Sequence, residues 1–262
     1  MNICVCSSDR DTYSETFIRV HIDLLPRTIV VYGDWPLWEH EGKPIVSLAA
    51  RFAIRYGGRA HCSLEATARR AAVNALARFF KQNHVDVVLA EYGYKAAELL
   101  EACGRSKTPL VVHFHGVDAY HRDILAKHDN YRQVFAQAAA VIAVSRAMER
   151  QLLELGAPRE RLFCNPCGVD LDVIPAIDVA ANGPLFIAVG RFVDKKAPYL
   201  TLMAFQRVLE ACPEARLAYV GDGPLLEACR QIARALRIEP MVTFYGRLKH
   251  QDVVELIGTA RA

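Results

Sequence analysis

Short apolar, β-branched runs alternate along the chain with segments whose apolar residues recur every three to four positions. NICVC, TIVVY, VDVVLA, PLVVHF, AVIAVS and LFCN read as buried strands. Between them ETFIRVHIDLL, LEATARRAAVNALARFFKQ, YKAAELLEAC, ILAKHDNYRQVFAQA and RAMERQLLEL read as amphipathic helices. Ser14, Ser63 and Ser145 are the expected N-caps of three of these, and Glu65 suits the positive end of its helix. Gly156 with Pro158 stops the last of them. Strand and helix in repeated alternation mean a parallel sheet covered on both faces.

The pattern lapses over residues 171–184, LDVIPAIDVAANGP, which read as a linker. It restarts with LFIAVG, a helix from about Pro198 to Ala211, ARLAYVG, LLEACRQIARAL, MVTFYG and a helix from about Gln251 to Ile257. The fold class is therefore α/β, with two Rossmann-like doubly wound domains at 1–170 and 185–262. The second reads as incomplete, with three strands where five or six are common. An unfinished sheet exposes an edge and leaves a helix face uncovered.

Composition narrows the field. The 262 residues are 52% hydrophobic and 23% charged, ordinary for a globular protein. A net charge of +3 with no block of like charge gives no case for nucleic acid. MNICVCSSDR reads as a first strand rather than a signal peptide, and no apolar run reaches the roughly 18 residues of a spanning helix. The eight scattered cysteines then read as reduced thiols of a cytoplasmic protein. Cys4 and Cys6 share one strand face, and Cys164 and Cys167, in C-N-P-C, read as a turn after a strand, the alternative being a redox or half-zinc pair for which no second pair and no matching histidine is found.

Three motifs stand where strands end, the place at which open parallel sheets bind ligands. In HFHGVDAY, His113 belongs in the sheet and His115 at its mouth. Gly116 allows a sharp turn, and Asp118 can cap it or bond a ligand hydroxyl. A metal held by His113, His115 and His121, as in a metal-dependent hydrolase, and a satisfied strand-end histidine pair are the alternatives. In VGRFVDKKAP, Gly190 ends a strand, and Arg191, Lys195 and Lys196 bring cations to the start of a helix, a pattern that suits a phosphate. The alternative is a solvated basic loop. In VGDGP, Gly221 and Gly223 allow the backbone to approach a ligand closely, but the spacing is not that of a dinucleotide fingerprint.

Taken in order, these motifs resemble the retaining glycosyltransferases of family 4, the group 1 transferases, which have the two-domain GT-B fold. SETFIRVHI is similar to a subgroup linked to exopolysaccharide and colanic-acid-type synthesis. FHGVD, VIAVSRAMERQLLELG and CGVDLD resemble the acceptor domain and hinge; VGRFVDKKAP, YVGDGPLLEAC and FYGRLKHQDVVELI resemble the start of the donor domain. The resemblance implies transfer of a sugar from a nucleotide-sugar to a hydroxyl with retained anomeric configuration. It gives His115, with Asp118 beside it, a place near the transferred sugar, and Arg191 and Lys196, next to Gly190, the donor diphosphate. Gly221 and Gly223 belong to a donor-domain loop. The loop GDWPLWEHEGKP falls on the acceptor side, and Glu91 and Tyr92, after VDVVLA, are either acceptor contacts or a plain strand-end loop. No metal and no cofactor are implied beyond the nucleotide-sugar substrate.

The chain departs from the family pattern in three ways. SSDRDTYS has no glycine-rich loop, and Ala197 follows Lys196 where the family has glycine. Nothing in residues 246–262 matches the family's E-x7-E element, so a chain truncated before it, with poor donor binding and slow turnover or none, is the expectation. The expected partners are a nucleotide-sugar donor and a saccharide or lipid-linked saccharide acceptor, with peripheral membrane association through SLAARFAIRYGGRAH. The competing function is a non-catalytic module that binds a saccharide or a partner protein.

Overall fold

The computed structural model describes residues 1–8, 16–34, 39–56, 62–169 and 177–262. The expected cap Ser14, the Ser63 side chain, most of SSDRDTYS, the start of the 171–184 linker and part of GDWPLWEHEGKP lie outside the described residues. The chain divides into two compact units, Met1–Gly168 and Val169–Ala262.

In the first unit the elements follow in the order β1 (Ile3–Ser7), α1 (Thr16–Leu24), β2 (Thr28–Tyr32), β3 (Glu39–His40), β4 (Lys43–Pro44), α2 (Leu48–Tyr56) and α3 (Cys62–Gln82). They continue with β5 (Val87–Glu91), α4 (Gly93–Ser106), β6 (Leu110–Phe114), α5 (Val117–Tyr120), α6 (Arg122–Lys127), α7 (Arg132–Gln137), β7 (Ala140–Ala143), α8 (Arg146–Glu154) and β8 (Leu162–Cys164). The sheet order is β4-β3-β2-β1-β5-β6-β7-β8, parallel from β2 to β8. All six apolar runs read as strands are strands. Val88, Ala90, Val112, Phe114, Val141 and Ala143 are fully buried, so the runs are continuous because both faces are covered. The chain winds from β1 outward to β2, then crosses back to β5 on the other side of β1. That reversal opens a crevice at the carboxyl ends of β1 and β5.

Two details depart from the periodicity. The two-residue strands β3 and β4 form an antiparallel hairpin on the sheet edge, with Glu41 and Gly42 at φ 49° and 76°. ILAKHDNYRQVFAQA reads as one helix but is broken into α6 and α7. Asp129, Asn130 and Tyr131 take φ 48°, 48° and 61° between them. The break turns the Tyr131 ring inward, where it is fully buried, edge-on to Phe114 at 5.2 Å and to Phe135 at 6.3 Å. Tertiary packing of a large ring outweighs the local helical period here. Ser145 caps α8 as expected, its Oγ accepting from Met148 N at 3.1 Å.

The second unit holds β9 (Leu185–Val189), α9 (Pro198–Ala211), β10 (Arg216–Val220), α10 (Leu226–Ala235), β11 (Val242–Gly246) and α11 (His250–Thr259). Its three-stranded parallel sheet runs β11-β10-β9. After α11 the chain returns to the outer edge of β9. There Arg261 N donates to Leu185 O at 2.8 Å and Ile187 N donates to Ala262 O at 2.7 Å. Val189, Leu200 and Met203 are more than half exposed. Phe192, Leu202, Phe205, Leu217, Tyr219 and Val242 form the unit's own core.

Candidate functional site

The crevice between β1 and β5 gathers side chains from three elements. Glu91 ends β5, beside His113 of β6 in register. Phe17 and His21, one turn apart on α1, come from the other side of the switch. The Glu91 carboxylate is fully buried. Its Oε1 lies 2.8 Å from His21 Nδ1 and its Oε2 lies 2.7 Å from His115 Nε2, while His113 Nδ1 is 3.7 Å from the same Oε2. Burial alone would raise the Glu91 pKa, but the hydrogen bonds from His115 and His21 overcome it and hold the group down to about 2. Glu91 is therefore a permanent anion inside the fold.

His115 is walled by rings. Phe17 stacks on it at 4.2 Å, Tyr92 meets it edge-on at 4.9 Å and His113 lies 4.3 Å away. Tyr92 reaches this position with φ 83°, a conformation a tyrosine adopts only where its surroundings impose it. Its own N–H donates to His113 O at 2.9 Å. Among the described residues none bonds His115 Nδ1. His113 is 2% exposed, its Nε2 is buried without a partner among the described residues, and burial lowers its pKa to about 3, so it stays neutral.

Asp118 sits beneath this cluster, fully buried. Its Oδ1 accepts from His115 N at 3.0 Å and Gly116 N at 2.9 Å, and its Oδ2 accepts from Gly93 N at 2.8 Å. Burial raises its pKa against the pull of those amides. Capping the turn and bonding a ligand hydroxyl were the two expectations for Asp118; in the fold it caps, with both oxygens on backbone amides, and fixes the turn that carries His115 to the start of α4. Lys95, 1% exposed, ties the end of β2 to the same helix through Gly33 O and Glu98 Oε2, each at 3.0 Å.

Among the described residues, two sets of three have ligand atoms within 4.8 Å of one another and could hold a metal: His113, His115 and Cys167, and His21, Glu91 and His113. His121, expected to join such a site, belongs to neither and stands exposed at the N-cap position of α6, with no capping bond from its side chain.

In the second unit Gly190 follows β9, and Arg191 and Lys196 are exposed ahead of α9, without an ion pair among the described residues. Ala197, where the family pattern has glycine, takes φ 44° as the residue before the helix. Gly221 and Gly223, expected to let backbone approach a ligand, let it approach backbone. A Cβ on Gly221 would lie 1.9 Å from Gly190 O, and one on Gly223 would lie 2.5 Å from Phe192 O. Gly190 N donates to Val220 O at 3.0 Å and Phe192 N to Asp222 O at 2.9 Å, so the two strand-end loops are laced together. The lacing holds the loop bearing Arg191 against the end of β10.

Of the expected site residues, the first unit brings together Glu91, Tyr92, His115 and Asp118. The second brings together Gly190, Arg191, Gly221 and Gly223. His21 and Phe17 were missed. Their signal was present: an i, i+4 pair on one face of the helix that follows the first strand.

Comparison with known proteins accounts for both units. The Glycosyltransferase Family 4 description matches residues 28–173, and Glycosyl transferases group 1 matches residues 174–262. The chain is 26% identical over 181 residues to the putative colanic acid biosynthesis glycosyltransferase WcaL of Escherichia coli K12, covering 67% of this chain and 44% of that protein. It is 29% identical over 149 residues to the amylovoran biosynthesis glycosyltransferase AmsK of Erwinia amylovora, covering 52% of this chain and 35% of the relative. The matches thus span less than half the length of either relative. Among solved structures it resembles HepE of Anabaena in complex with UDP-glucose, with a TM-score of 0.69 at 16% identity over 99% of this chain and 72% of that one. The lipopolysaccharide outer core galactosyltransferase WaaB is also similar, with a TM-score of 0.63 at 16% identity and the same coverage. The fold is the GT-B arrangement of two Rossmann-like units, and with both halves matched the chain belongs to the family 4, group 1 glycosyltransferases.

Proposed function

We propose that this chain serves a retaining glycosyltransferase, which moves a sugar from a nucleotide-sugar to a hydroxyl acceptor in the synthesis of a cell-surface polysaccharide. The observation that carries the reading is the pairing, in one chain of this family, of a buried His115–Glu91 contact in the first unit with the exposed Arg191 and Lys196 in the second. Cleavage of the donor bond develops positive charge on the sugar and negative charge on the leaving diphosphate. Two unpaired cations beside a helix start are suited to the latter, and fixed donors aimed at such a charge are among the largest contributions to catalysis. His115 meets the sugar side of the reaction through hydroxyls. No step uses a metal or a cofactor, because Arg191 and Lys196 supply the charge a cation would. The complex of HepE with UDP-glucose and the description of WcaL as a putative colanic acid biosynthesis glycosyltransferase support this reading.

The acceptor is a saccharide or a lipid-linked saccharide, handled at the cytoplasmic face of a membrane. No helix among the described residues is long and apolar enough to cross one. Peripheral attachment is supported by α2, where Leu48 and Phe52, one turn apart, are 74% and 67% exposed.

A panel of UDP-, GDP- and dTDP-sugars tests the reading by calorimetric binding and by product detection. At least one donor binds the wild type. Lys196→Ala weakens it at least about tenfold through the lost phosphate contact. His115→Ala leaves nucleotide binding in place and abolishes transfer. No binding by any donor would defeat the proposal. Donor or saccharide binding without transfer in the wild type would instead favour the non-catalytic module, to which the exposed Val189, Leu200 and Met203 lend support.

A further inference from the structure

We infer that His113, His115 and Cys167 bind a soft divalent cation, zinc in the first place, and that the bound ion is inhibitory because it occupies His115. One ligand atom from each of the three lies within 4.8 Å of the others, and all three belong to the first unit. Two imidazoles and a thiolate are donors that zinc and its soft neighbours take, whereas magnesium and calcium take oxygen. Zinc–nitrogen bonds of about 2.0 Å and a zinc–sulfur bond of about 2.3 Å, at tetrahedral angles, put such donors about 3.3–3.6 Å apart. The cluster therefore closes on an ion by a movement of no more than about 1.5 Å. Cys167 can supply it, being exposed and beyond the end of β8, outside any helix or strand.

Neither histidine has spent its bonding capacity. His113 is 2% exposed, and its Nε2 is buried without a partner among the described residues. His115 has Nε2 on Glu91 Oε2 at 2.7 Å, and a carboxylate on the far nitrogen is the usual companion of a metal-bound imidazole. The overlapping set of His21, Glu91 and His113 would instead use the carboxylate that His21 and His115 already hold. Cys164, the other half of C-N-P-C, belongs to neither set, so that motif gives one ligand and the histidines come from β6 and the turn after it. Three protein ligands leave a fourth position open, and the exposed side of Cys167 lets the ion in. Binding forms one zinc–sulfur and two zinc–nitrogen bonds, displaces water from the ion and releases the thiol proton to solvent. With one nitrogen on Glu91 and the other on the ion, the His115 ring has none left for a substrate. The inhibition rests on the proposed transferase function; the site does not.

Cobalt reports both the geometry and the sulfur. The untagged 262-residue protein, stripped with a chelator and kept in a non-thiol reductant, is titrated with Co2+. A stoichiometric amount is expected to raise a thiolate-to-cobalt charge-transfer band and the strong visible bands of a four-coordinate ion. Zn2+ abolishes both bands, and Mg2+ leaves them unchanged. Cys167→Ser removes the charge-transfer band, Cys164→Ser keeps it, and His113→Gln weakens cobalt binding at least about tenfold. If His113→Gln does not fold, 15N-histidine spectra take its place: Zn2+ must shift two histidine signals in the wild type that it leaves in place in Cys167→Ser. No charge-transfer band, a band that survives Cys167→Ser, or histidine signals indifferent to Zn2+ overturns the site. Zn2+ at about ten times its dissociation constant should lower the rate of sugar transfer about tenfold in the wild type, and less than about twofold in Cys167→Ser. Equal inhibition of the two, or none, overturns the inhibitory role. Cobalt bound in this way by a protein that transfers no sugar would leave the site standing and count against the transferase function alone.

Discussion

Glu91 Oε2 and His115 Nε2 lie 2.7 Å apart in a pocket that leaves the carboxylate no exposure to water. A buried anion held by the short hydrogen bonds of two imidazoles is a strong contact and a vulnerable one. Glu91→Ala removes the acceptor and leaves two N–H groups facing each other across a void. An unsatisfied buried donor costs about 1–3 kcal/mol, and the deleted side chain adds a cavity, so a loss of about 3–5 kcal/mol is expected. Urea unfolding measures it. His21→Ala, at a position 20% exposed in its side chain, should lose no more than about half as much, because water replaces what is removed.

Asp118 works on backbone rather than on ligand. Replacing it with Asn keeps the size and turns one acceptor into a donor. One end of the new amide then faces the N–H of Gly93, or those of His115 and Gly116, donor against donor. The expected cost is about 2–4 kcal/mol in urea unfolding. The same variant should broaden the His115 resonances, since the turn that carries the ring is freed. A melting curve and His115 line widths equal to wild type would show that the carboxylate is not the clamp.

Much of this architecture is legible in the sequence. The strands are readable because they are buried on both faces and carry unbroken apolar runs, and the wide-spaced alternation with amphipathic segments dictates a parallel sheet. His115 and Asp118 are readable because their motif closes a strand. What the sequence hides is pairing across distance. Glu91 looks like an ordinary strand-end acid until β5 and β6 lie in register and α1 brings His21 to its other oxygen, a contact between residues 70 positions apart. The break at Asn130 hides for a related reason, since the helical period continues through it and only the aromatic pocket around Tyr131 demands the turn. Gly221 and Gly223 announce a close approach but not what approaches.

Their answer is testable. Gly221 sits at φ 137°, and a methyl there would lie 1.9 Å from Gly190 O. Neither the backbone angle nor the neighbouring carbonyl can yield without breaking the contacts that lace the β9 and β10 loops. Gly221→Ala should destabilise the second unit by more than about 3 kcal/mol or prevent its folding. Hydrogen exchange distinguishes the units: protection should fall across 185–262 while β5 and β6 of the first unit keep theirs. Uniform loss, or no loss, would contradict the close approach.

His113 is neutral in the fold, its pKa lowered by burial from the usual 6.5 to about 3. Between those values the unfolded chain binds a proton that the folded chain refuses. The stability His113 contributes is therefore complete above pH 6.5 and is lost as pH falls through the window, by about 1.4 kcal/mol per pH unit. Glu91, held at about 2 against its usual 4.5, acts in the same direction but only below 4.5, where the unfolded carboxylate protonates first. Asp118, raised by burial, pulls the other way. The difference between wild type and His113→Gln isolates the histidine, because the carboxylates are common to both. Urea unfolding at about pH 6 and pH 5 should show the wild type losing about 1 kcal/mol more than the variant over that step. Parallel losses would mean that His113 takes up its proton in the fold, and that its unpartnered Nε2 is open to water after all.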